Sequence, residues 1–152
     1  EGLKLDLMLP IGKKKIKAHY VDTGSPHVVI PTYQLKQEIG LVHVVPLGRR
    51  IRHQKKFLPA GTNVNFIQKI DAKTIKIRTY ERGVEEETLA CGTGSIASGI
   101  VANEIWAMRH PISVIPASGI ELRVDFAKTG DTYNNVTLSG PATMVFTGSI
   151  DV

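Results

Sequence analysis

The sequence predicts an α+β fold in which a mixed, mostly antiparallel sheet curls into a barrel-like wrap around one central helix. Short segments of alternating apolar and polar residues, separated by turn residues, run through most of the chain and predict about eight strands. Residues 96–108 are instead apolar on nearly every face, and a helix with that pattern is enclosed by other structure. This helix is too short to span a bilayer, which takes about 20 residues, so we expect the sheet to enclose it.

The first part of the chain predicts three strands, at residues 3–8, 15–21 and 27–31. The first two alternate between apolar and polar side chains, the third is a short apolar run, and turn residues follow the first two. Residues 33–39 predict one or two helical turns that end at a glycine, and residues 42–45 a short strand or turn. Residues 46–60 are basic and resemble a loop.

The second part of the chain predicts a hairpin, the central helix and further short strands. Residues 63–70 and 74–81 alternate strongly and only three residues separate them, which is typical of a β-hairpin. The helix follows a small-residue opening at residues 92–95. The remaining strands are predicted at residues 111–116, 120–126, 135–138 and 144–150.

Length and composition indicate one domain of an ordinary globular protein, with 152 residues of which 42% are hydrophobic and 22% charged. The single cysteine, Cys91, permits no internal disulfide, which suits a reducing compartment, and we expect a cytoplasmic protein. The sequence does not begin with methionine. We therefore expect that residue 1 is not the natural start and that the chain is an excised or truncated domain.

The net charge of +5 is unevenly distributed along the chain. Residues 1–76 carry 14 Lys and Arg against 5 Asp and Glu, whereas residues 77–152 carry 5 against 9. The basic clusters at residues 13–17 and 49–56 raise the hypothesis of nucleic-acid binding. No aromatic residues are interleaved with them for base stacking, so solvated surfaces are the better interpretation. The positive charge could equally attract an anionic small substrate.

Cys91 lies at the predicted start of the central helix, directly before Gly92. A thiol in that position is close to unpaired backbone N–H groups and to the positive end of the helix dipole, and both favour the reactive thiolate. The alternative is a buried structural cysteine. Glycines on one side and a charged loop on the other are poor neighbours for a core residue, which favours the reactive thiol.

Other polar residues lie at strand ends where they could reach the same rim. Glu81 could accept the thiol proton and Arg82 could pair with a substrate carboxylate, although a surface ion pair is the commoner outcome. His27 follows a turn, and a lone histidine is more often structural than catalytic. Asn63 and Asn65 share one face of a strand, where they could hold a polar ligand or begin the strand at the solvent.

Four strings, in this order, resemble the diaminopimelate epimerase family: DTGSPHVV at residues 22–29, NVNF at 63–66, YERGV at 80–84 and ETLACGTG at 87–94. The resemblance covers essentially the whole chain but only the C-terminal half of that enzyme. It implies two similar domains, each a curled sheet around a helix, with no pyridoxal phosphate, no other cofactor and no metal. Two cysteines, one from each domain, then interconvert LL- and meso-2,6-diaminopimelate on the route to lysine and peptidoglycan. Proline racemases and phenazine-pathway isomerases are poorer matches to these strings.

The resemblance also implies roles for individual residues. Cys91 would be the catalytic cysteine of this half, Glu81 the carboxylate that tunes it, and His27 a residue that adjusts the cysteine of the missing half. The implied substrate contacts are Ser25, Asn63, Glu81, Arg82, Gly92 and Thr93. The family usually has asparagine at the position of Ser25, and the loop from Glu81 to Cys91 is one residue longer than its commonest pattern.

Two-base inversion needs one group on each face of the carbon, and this chain supplies one thiol. We therefore predict an isomerase domain, residues 1–152, that is inactive without its N-terminal half. The expected partners are diaminopimelate and that missing half. A homodimer stays open, and neither nucleic acid nor a membrane is expected. Two alternatives stay open: a cysteine-nucleophile hydrolase or transferase that uses Cys91 with His27, and a basic binding module without catalysis.

Overall fold

One mixed sheet of nine strands organises the computed structural model, which describes residues 2–151. The strands are β1 (Lys4–Ile11), β2 (Lys14–Asp22), β3 (Pro26–Pro31), β4 (Asn63–Lys69), β5 (Thr74–Tyr80), β6 (Glu87–Thr88), β7 (Ile112–Ile115), β8 (Leu122–Thr129) and β9 (Thr132–Ser139). The α-helices in this part of the chain are α1 (Val44–Arg52) and α2 (Gly92–Trp106). Single 3₁₀ turns lie at Thr32–Leu35, Ile39–Leu41 and Lys55–Phe57.

The strand order is β1-β2-β3-β4-β5-β7-β8-β9, with β6 paired to β5 off this path. The β3–β4 and β5–β7 pairs are parallel and the other pairs are antiparallel, so the predicted mixed, mostly antiparallel α+β sheet is confirmed. The predicted closure into a barrel-like wrap is not confirmed. Among residues 2–151, β1 and β9 end the sheet without pairing with each other, so the sheet stays open.

Helix α2 is central, as its sequence predicts. It contacts β2, β3, β4, β5, β7, β8 and β9. Its apolar residues pack into one core with alternate residues of these strands, such as Val29 and Ile67. The helix begins at Gly92, four residues before the apolar run that predicted it, because the small residues of the opening are already helical.

Helix α1 covers the opposite face of the sheet and corrects the prediction for this region. Residues 42–45 were expected as a strand or turn and residues 46–60 as a loop, but Val44–Arg52 is an amphipathic helix. Its inner face packs against Phe66 on β4 and Tyr80 on β5. The residues adjacent to these two in the strands face α2. Gly48 is needed because a Cβ there would lie 2.3 Å from Tyr80 Cβ. The sheet is therefore covered on both faces at its centre, which explains why β3 and the first five residues of β4 are almost continuously buried.

The hairpin prediction is confirmed and the prediction of a last strand is wrong. β4 and β5 pair antiparallel with Val64 opposite Tyr80 and Lys69 opposite Ile75. Residues 144–150 form no strand, and the side chains of Met144, Phe146 and Ile150 are 80–85% exposed. Among residues 2–151, no neighbouring strand supplies backbone hydrogen bonds to this alternating segment. None of the helices in the described part of the chain has the length and apolarity of a membrane span.

Candidate active site

Cys91 is the N-cap residue of α2. Its backbone is extended, with φ of −135° and ψ of 113°, as the cap position requires, and its Sγ accepts a hydrogen bond from the Gly94 N–H at 3.4 Å. The side chain is 9% exposed. The sulfur contacts the polar opening of the helix, where the first-turn N–H groups have no intrahelical carbonyl to pair with. Cys91 therefore lies at the start of the central helix, where the sequence predicts it.

The first turn of α2 is held closely around this sulfur. The Ser95 N–H and Ser95 Oγ both donate to the Cys91 carbonyl at 2.9 Å. A Cβ on Gly94 would lie 3.1 Å from the Cys91 sulfur and 2.6 Å from Asn65 Oδ1, so only glycine fits between them. The small-residue opening of the helix therefore allows the buried Asn65 amide on β4 to approach the Cys91 cap.

His27 lies beside this opening, buried at the start of β3. Its Nε2 is 2.9 Å from Ser25 Oγ and 3.0 Å from Thr93 Oγ1, and its Nδ1 is 3.0 Å from Asn65 Nδ2. Burial lowers the pKa of His27 to about 4; the charge of nearby Asp22 opposes this shift. His27 is therefore uncharged at neutral pH.

Thr93 connects His27 to the sulfur. The Thr93 hydroxyl lies 3.6 Å from Cys91 Sγ and 3.3 Å from Ser25 Oγ. The Thr93 carbonyl accepts a hydrogen bond from the Thr23 hydroxyl at 3.0 Å, which joins the turn after β2 to the start of α2. The turn residues and the helix opening, separated by about 70 positions in the sequence, therefore meet at one point.

Asn63 links the same turn to the segment after β5. Its Nδ2 donates to the Pro26 carbonyl at 3.1 Å and to Ser25 Oγ at 3.4 Å, and its Oδ1 accepts from the Arg82 N–H at 2.8 Å. The amide thus fixes the backbone at Arg82. Arg82 lines a cleft of about 840 Å³ that Asp22 and Phe57 also line.

Glu81 is placed differently from the sequence interpretation. Its carboxylate accepts a hydrogen bond from the Thr88 hydroxyl at 2.9 Å. Within residues 2–151, it forms no hydrogen bond with Cys91, and the proposed tuning of the thiol by Glu81 has no direct contact to support it. The structure therefore connects Ser25, His27, Asn63, Thr93 and Cys91 in one hydrogen-bonded group, joins Arg82 through its backbone, and leaves Glu81 at the adjoining strand end.

Sequence reasoning paired Asn65 with Asn63 as amides that could hold a polar ligand but gave it no role in the site, and it did not consider Thr79. Asn65 lies on the same strand face as Asn63, as expected, but it is fully buried, and Thr79 on β5 donates to its Oδ1 at 2.9 Å. The available signal was an amide between two apolar residues, Val64 and Phe66, in a strand, because a buried polar side chain requires partners. In the described part of the chain, no group of three or more His, Cys, Asp or Glu side chains is arranged to hold a metal ion.

Comparison with known proteins identifies close sequence relatives. Residues 19–145 match the family profile described as diaminopimelate epimerase. The diaminopimelate epimerase of Aquifex aeolicus (strain VF5) is 41% identical over 143 residues, which cover 93% of this chain and 49% of the relative. That of Hydrogenobaculum sp. (strain Y04AAS1) is 43% identical over 135 residues, covering 88% of this chain and 46% of the relative. The chain thus spans about half the length of the curated relatives it matches.

Two solved structures share the fold at low sequence identity. A hydroxyproline epimerase from Agrobacterium vitis, with bound trans-4-hydroxy-L-proline, aligns with a TM-score of 0.61 at 14% identity, covering 88% of this chain and 44% of that one. A probable proline racemase from Agrobacterium radiobacter K84 aligns with a TM-score of 0.58 at 15% identity, covering 94% and 51%. In both cases this chain matches about half of the solved protein.

Proposed function

This chain belongs to the diaminopimelate epimerase family, and we propose that it is the C-terminal half of a cofactor-independent two-base epimerase that interconverts LL- and meso-2,6-diaminopimelate. The observation that carries the proposal is the Cys91 sulfur at the N-cap of α2, where the Gly94 N–H and the Thr93 hydroxyl lie within hydrogen-bonding reach. Hydrogen bonds to the charged form stabilise a thiolate, which is the form that removes a proton.

In the proposed reaction, the Cys91 thiolate and a thiol of the N-terminal half lie on opposite faces of the substrate α-carbon. One thiolate takes the α-proton, and the electron pair of the broken C–H bond stays on the substrate. The opposite thiol then delivers its proton to that carbon and becomes the thiolate. The configuration is inverted, no electrons leave the substrate, and the two sulfurs have exchanged protonation states.

The remaining site residues would bind and orient the substrate. The N–H groups of Gly92 and Thr93, in the first turn of α2, would bind a carboxylate of diaminopimelate for the same reason that they favour thiolate. Arg82 in its cleft would pair with a carboxylate through its planar guanidinium. Asn63, Ser25 and Glu81 remain proposed substrate contacts, although Asn63 is already bonded to Pro26 and the Arg82 backbone.

The proposal is tested by hydrogen exchange at the α-carbon in deuterium oxide. We expect no exchange of LL-diaminopimelate by this chain alone, and exchange when the chain is fused to the N-terminal half of the Aquifex aeolicus relative. Cys91→Ala in the fusion should abolish exchange, whereas Asn103→Ala at the far end of α2 should retain it. Turnover by the isolated chain that depends on Cys91 would refute the half-site, and exchange by the fusion that survives Cys91→Ala would refute the role of Cys91.

The geometry does not favour the two alternatives. A cysteine nucleophile would need His27 as its base, but Thr93 lies between His27 and Cys91, and burial keeps the pKa of His27 at about 4. Of the basic clusters at residues 13–17 and 49–56, Lys17 and Arg52 are paired with Asp6 and Glu85. We propose that the remaining cations form solvated surfaces, because no aromatic residues are interleaved with them for base stacking. We propose a cytoplasmic location because the one cysteine must remain a free thiol.

A further inference from the structure

Asn65 makes a set of hydrogen bonds that fixes the orientation of its own amide. Nδ2 lies 3.2 Å from the Val28 carbonyl, which can only accept, so this atom must be the donor nitrogen. Oδ1 then accepts from the Thr79 hydroxyl at 2.9 Å. The second proton of Nδ2 points to His27 Nδ1 at 3.0 Å. The amide cannot be reversed without facing its oxygen to the Val28 carbonyl.

This orientation determines which nitrogen of His27 carries the proton. Because Nδ1 faces a donor, it must be the unprotonated acceptor, and the single proton of the neutral ring lies on Nε2. Nε2 can then only donate, and its one proton is shared between the hydroxyls of Ser25 at 2.9 Å and Thr93 at 3.0 Å. Burial independently keeps the ring neutral, since it lowers the pKa of His27 to about 4.

The hydroxyls of Ser25 and Thr93 extend this series of hydrogen-bond donors from His27 to the Cys91 sulfur. Ser25 Oγ also receives a donor from Asn63 Nδ2 at 3.4 Å, so its own proton is free to point to Thr93 Oγ1 at 3.3 Å. Thr93 Oγ1 accepts from Ser25 and from the shared His27 proton, and its own proton can then point to Cys91 Sγ at 3.6 Å. The series of donors from His27 through the two hydroxyls therefore ends at Cys91, while Asn63 and Asn65 also donate to the Pro26 and Val28 carbonyls.

We infer that Asn65 is a positioning residue for Cys91: it sets the tautomer of His27 and thereby makes the Thr93 hydroxyl a hydrogen-bond donor to the Cys91 thiolate. A second observation ties Asn65 to the same place, since its Oδ1 occupies the space of a Gly94 side chain and leaves room for nothing larger than glycine. The inference rests on the proposed role of Cys91 as a base. It adds the mechanism by which residues of β3, β4 and β5 control that sulfur.

The tautomer is measured on the unmodified chain by the ¹⁵N chemical shifts of the His27 ring at neutral pH. We expect the Nε2-protonated form; a His27 ring protonated on Nδ1 would overturn the inference. In the Asn65→Asp variant the carboxylate accepts instead of donating, so we expect the proton to move to Nδ1. The same change at Asn103, which donates to the Met108 carbonyl at the other end of α2, should leave the His27 spectrum unchanged.

The effect on the sulfur is measured by the rate of Cys91 alkylation with iodoacetamide at neutral pH and by thiolate ultraviolet absorbance, with Cys91→Ala as the blank. Losing a hydrogen bond to a charged acceptor should reduce the thiolate fraction and the rate about tenfold in Thr93→Val. Thr93→Ser keeps the donor and should stay near the original rate. Cys91 alkylation should also be slower in Asn65→Asp than in the original chain. If Asn65→Asp does not fold, the two Thr93 variants still decide, because Thr93 is only partly buried.

An alkylation rate of Thr93→Val equal to that of the original chain would overturn the inference. This result is distinguishable from failure of the proposed function, because both measurements use this chain without substrate or N-terminal half. Loss of Cys91-dependent exchange in the fusion, with the tautomer and alkylation results as expected, would refute the epimerase and leave the positioning of Cys91 intact.

Discussion

The Arg52 guanidinium on α1 binds the Glu85 carboxylate in the loop before Cys91, with Nε and Nη2 lying 2.8 Å and 2.7 Å from Oε1. The Tyr80 hydroxyl and the Gly83 N–H also donate to this carboxylate, at 2.8 Å and 3.0 Å. Glu85 has a φ of 64°, an unfavourable backbone conformation for a residue other than glycine. These contacts must outweigh that strain, so the acidic loop is anchored to α1.

We expect Glu85→Gln to destabilise the chain at neutral pH and to have a smaller effect in acid. Hydrogen bonds from Arg52 and then Gly83 hold the pKa of Glu85 at about 2, below its ordinary value of 4.5. A carboxyl with a lowered pKa stabilises the fold above its unfolded value and loses this contribution as pH falls through the folded value. The difference in free energy of unfolding, measured with urea, should therefore disappear between pH 4.5 and about 2.

The control for this prediction is Glu86→Gln, which removes a charge from the same loop without removing an Arg52 contact. The free energy of unfolding of this variant should stay within about 0.5 kcal/mol of that of the original chain. A Glu85→Gln penalty that remains constant across the acid range would show that the charge of Glu85 is not what stabilises the loop.

We expect Arg78→Lys to lower the free energy of unfolding by about 1–3 kcal/mol. Arg78 Nε and Nη2 lie 2.7 Å and 2.6 Å from the two Glu87 oxygens, and Nη1 donates to the Ile39 and Val42 carbonyls at 3.0 Å. A lysine ammonium cannot reproduce this planar set of donors. Thermal or urea unfolding measures the loss.

Arg123→Lys is the matched control for Arg78. Arg123 also pairs with a glutamate, Glu121, at 3.2 Å, but its side chain is 67% exposed. Exposed pairs of this kind contribute about 0–1 kcal/mol, so this variant should be near neutral. Equal losses for the two substitutions would mean that the buried carbonyl contacts of Arg78 contribute nothing.

We expect Gly99→Ala to destabilise the chain by about 1–2 kcal/mol, although alanine is the better helix former by about 1 kcal/mol. A Cβ on Gly99 would lie 2.9 Å from Val124 Cγ1 and 3.0 Å from Val124 Cβ, so α2 would be pushed away from β8. Gly40→Ala, where the space is open, is the control. In a double-mutant cycle, Val124→Ala should partly rescue Gly99→Ala; additive losses would contradict the steric explanation.

We expect Ser98→Ala to stabilise the chain by about 1 kcal/mol. Ser98 is fully buried in α2, and within residues 2–151 its hydroxyl has no hydrogen-bond partner. Ser95 is equally buried in the same helix, but its hydroxyl donates to the Cys91 carbonyl at 2.9 Å. Ser95→Ala should therefore destabilise the chain by a similar amount. In thermal unfolding, we expect the melting temperatures of the two variants to shift in opposite directions.

Periodicity predicted the elements whose environment is uniform along their length. The β4–β5 hairpin was found because polar and apolar residues largely alternate along both strands, and helix α2 because nearly every face of it is apolar. Helix α1 was missed since it spans only Val44–Arg52, has a proline in its first turn and includes Gly48, all features that also suit a loop. Residues 144–150 were mistaken for a strand in this chain because an alternating pattern indicates that one face of a segment is suited to burial. The pattern does not indicate which residues would cover that face.

The amino-acid sequence by itself determined the α+β class, the lone thiol at a helix opening and the family resemblance, because each depends on residues that are close together along the chain. Tertiary structure alone decided that His27, Asn65 and Thr79 meet and that Glu81 bonds Thr88 and not Cys91. Those contacts depend on which strands are neighbours and on their register, with Val29 opposite Asn65 and Asn65 opposite Thr79. Side-chain reach is only a few ångströms, so a shift of one residue in either pairing would separate these groups.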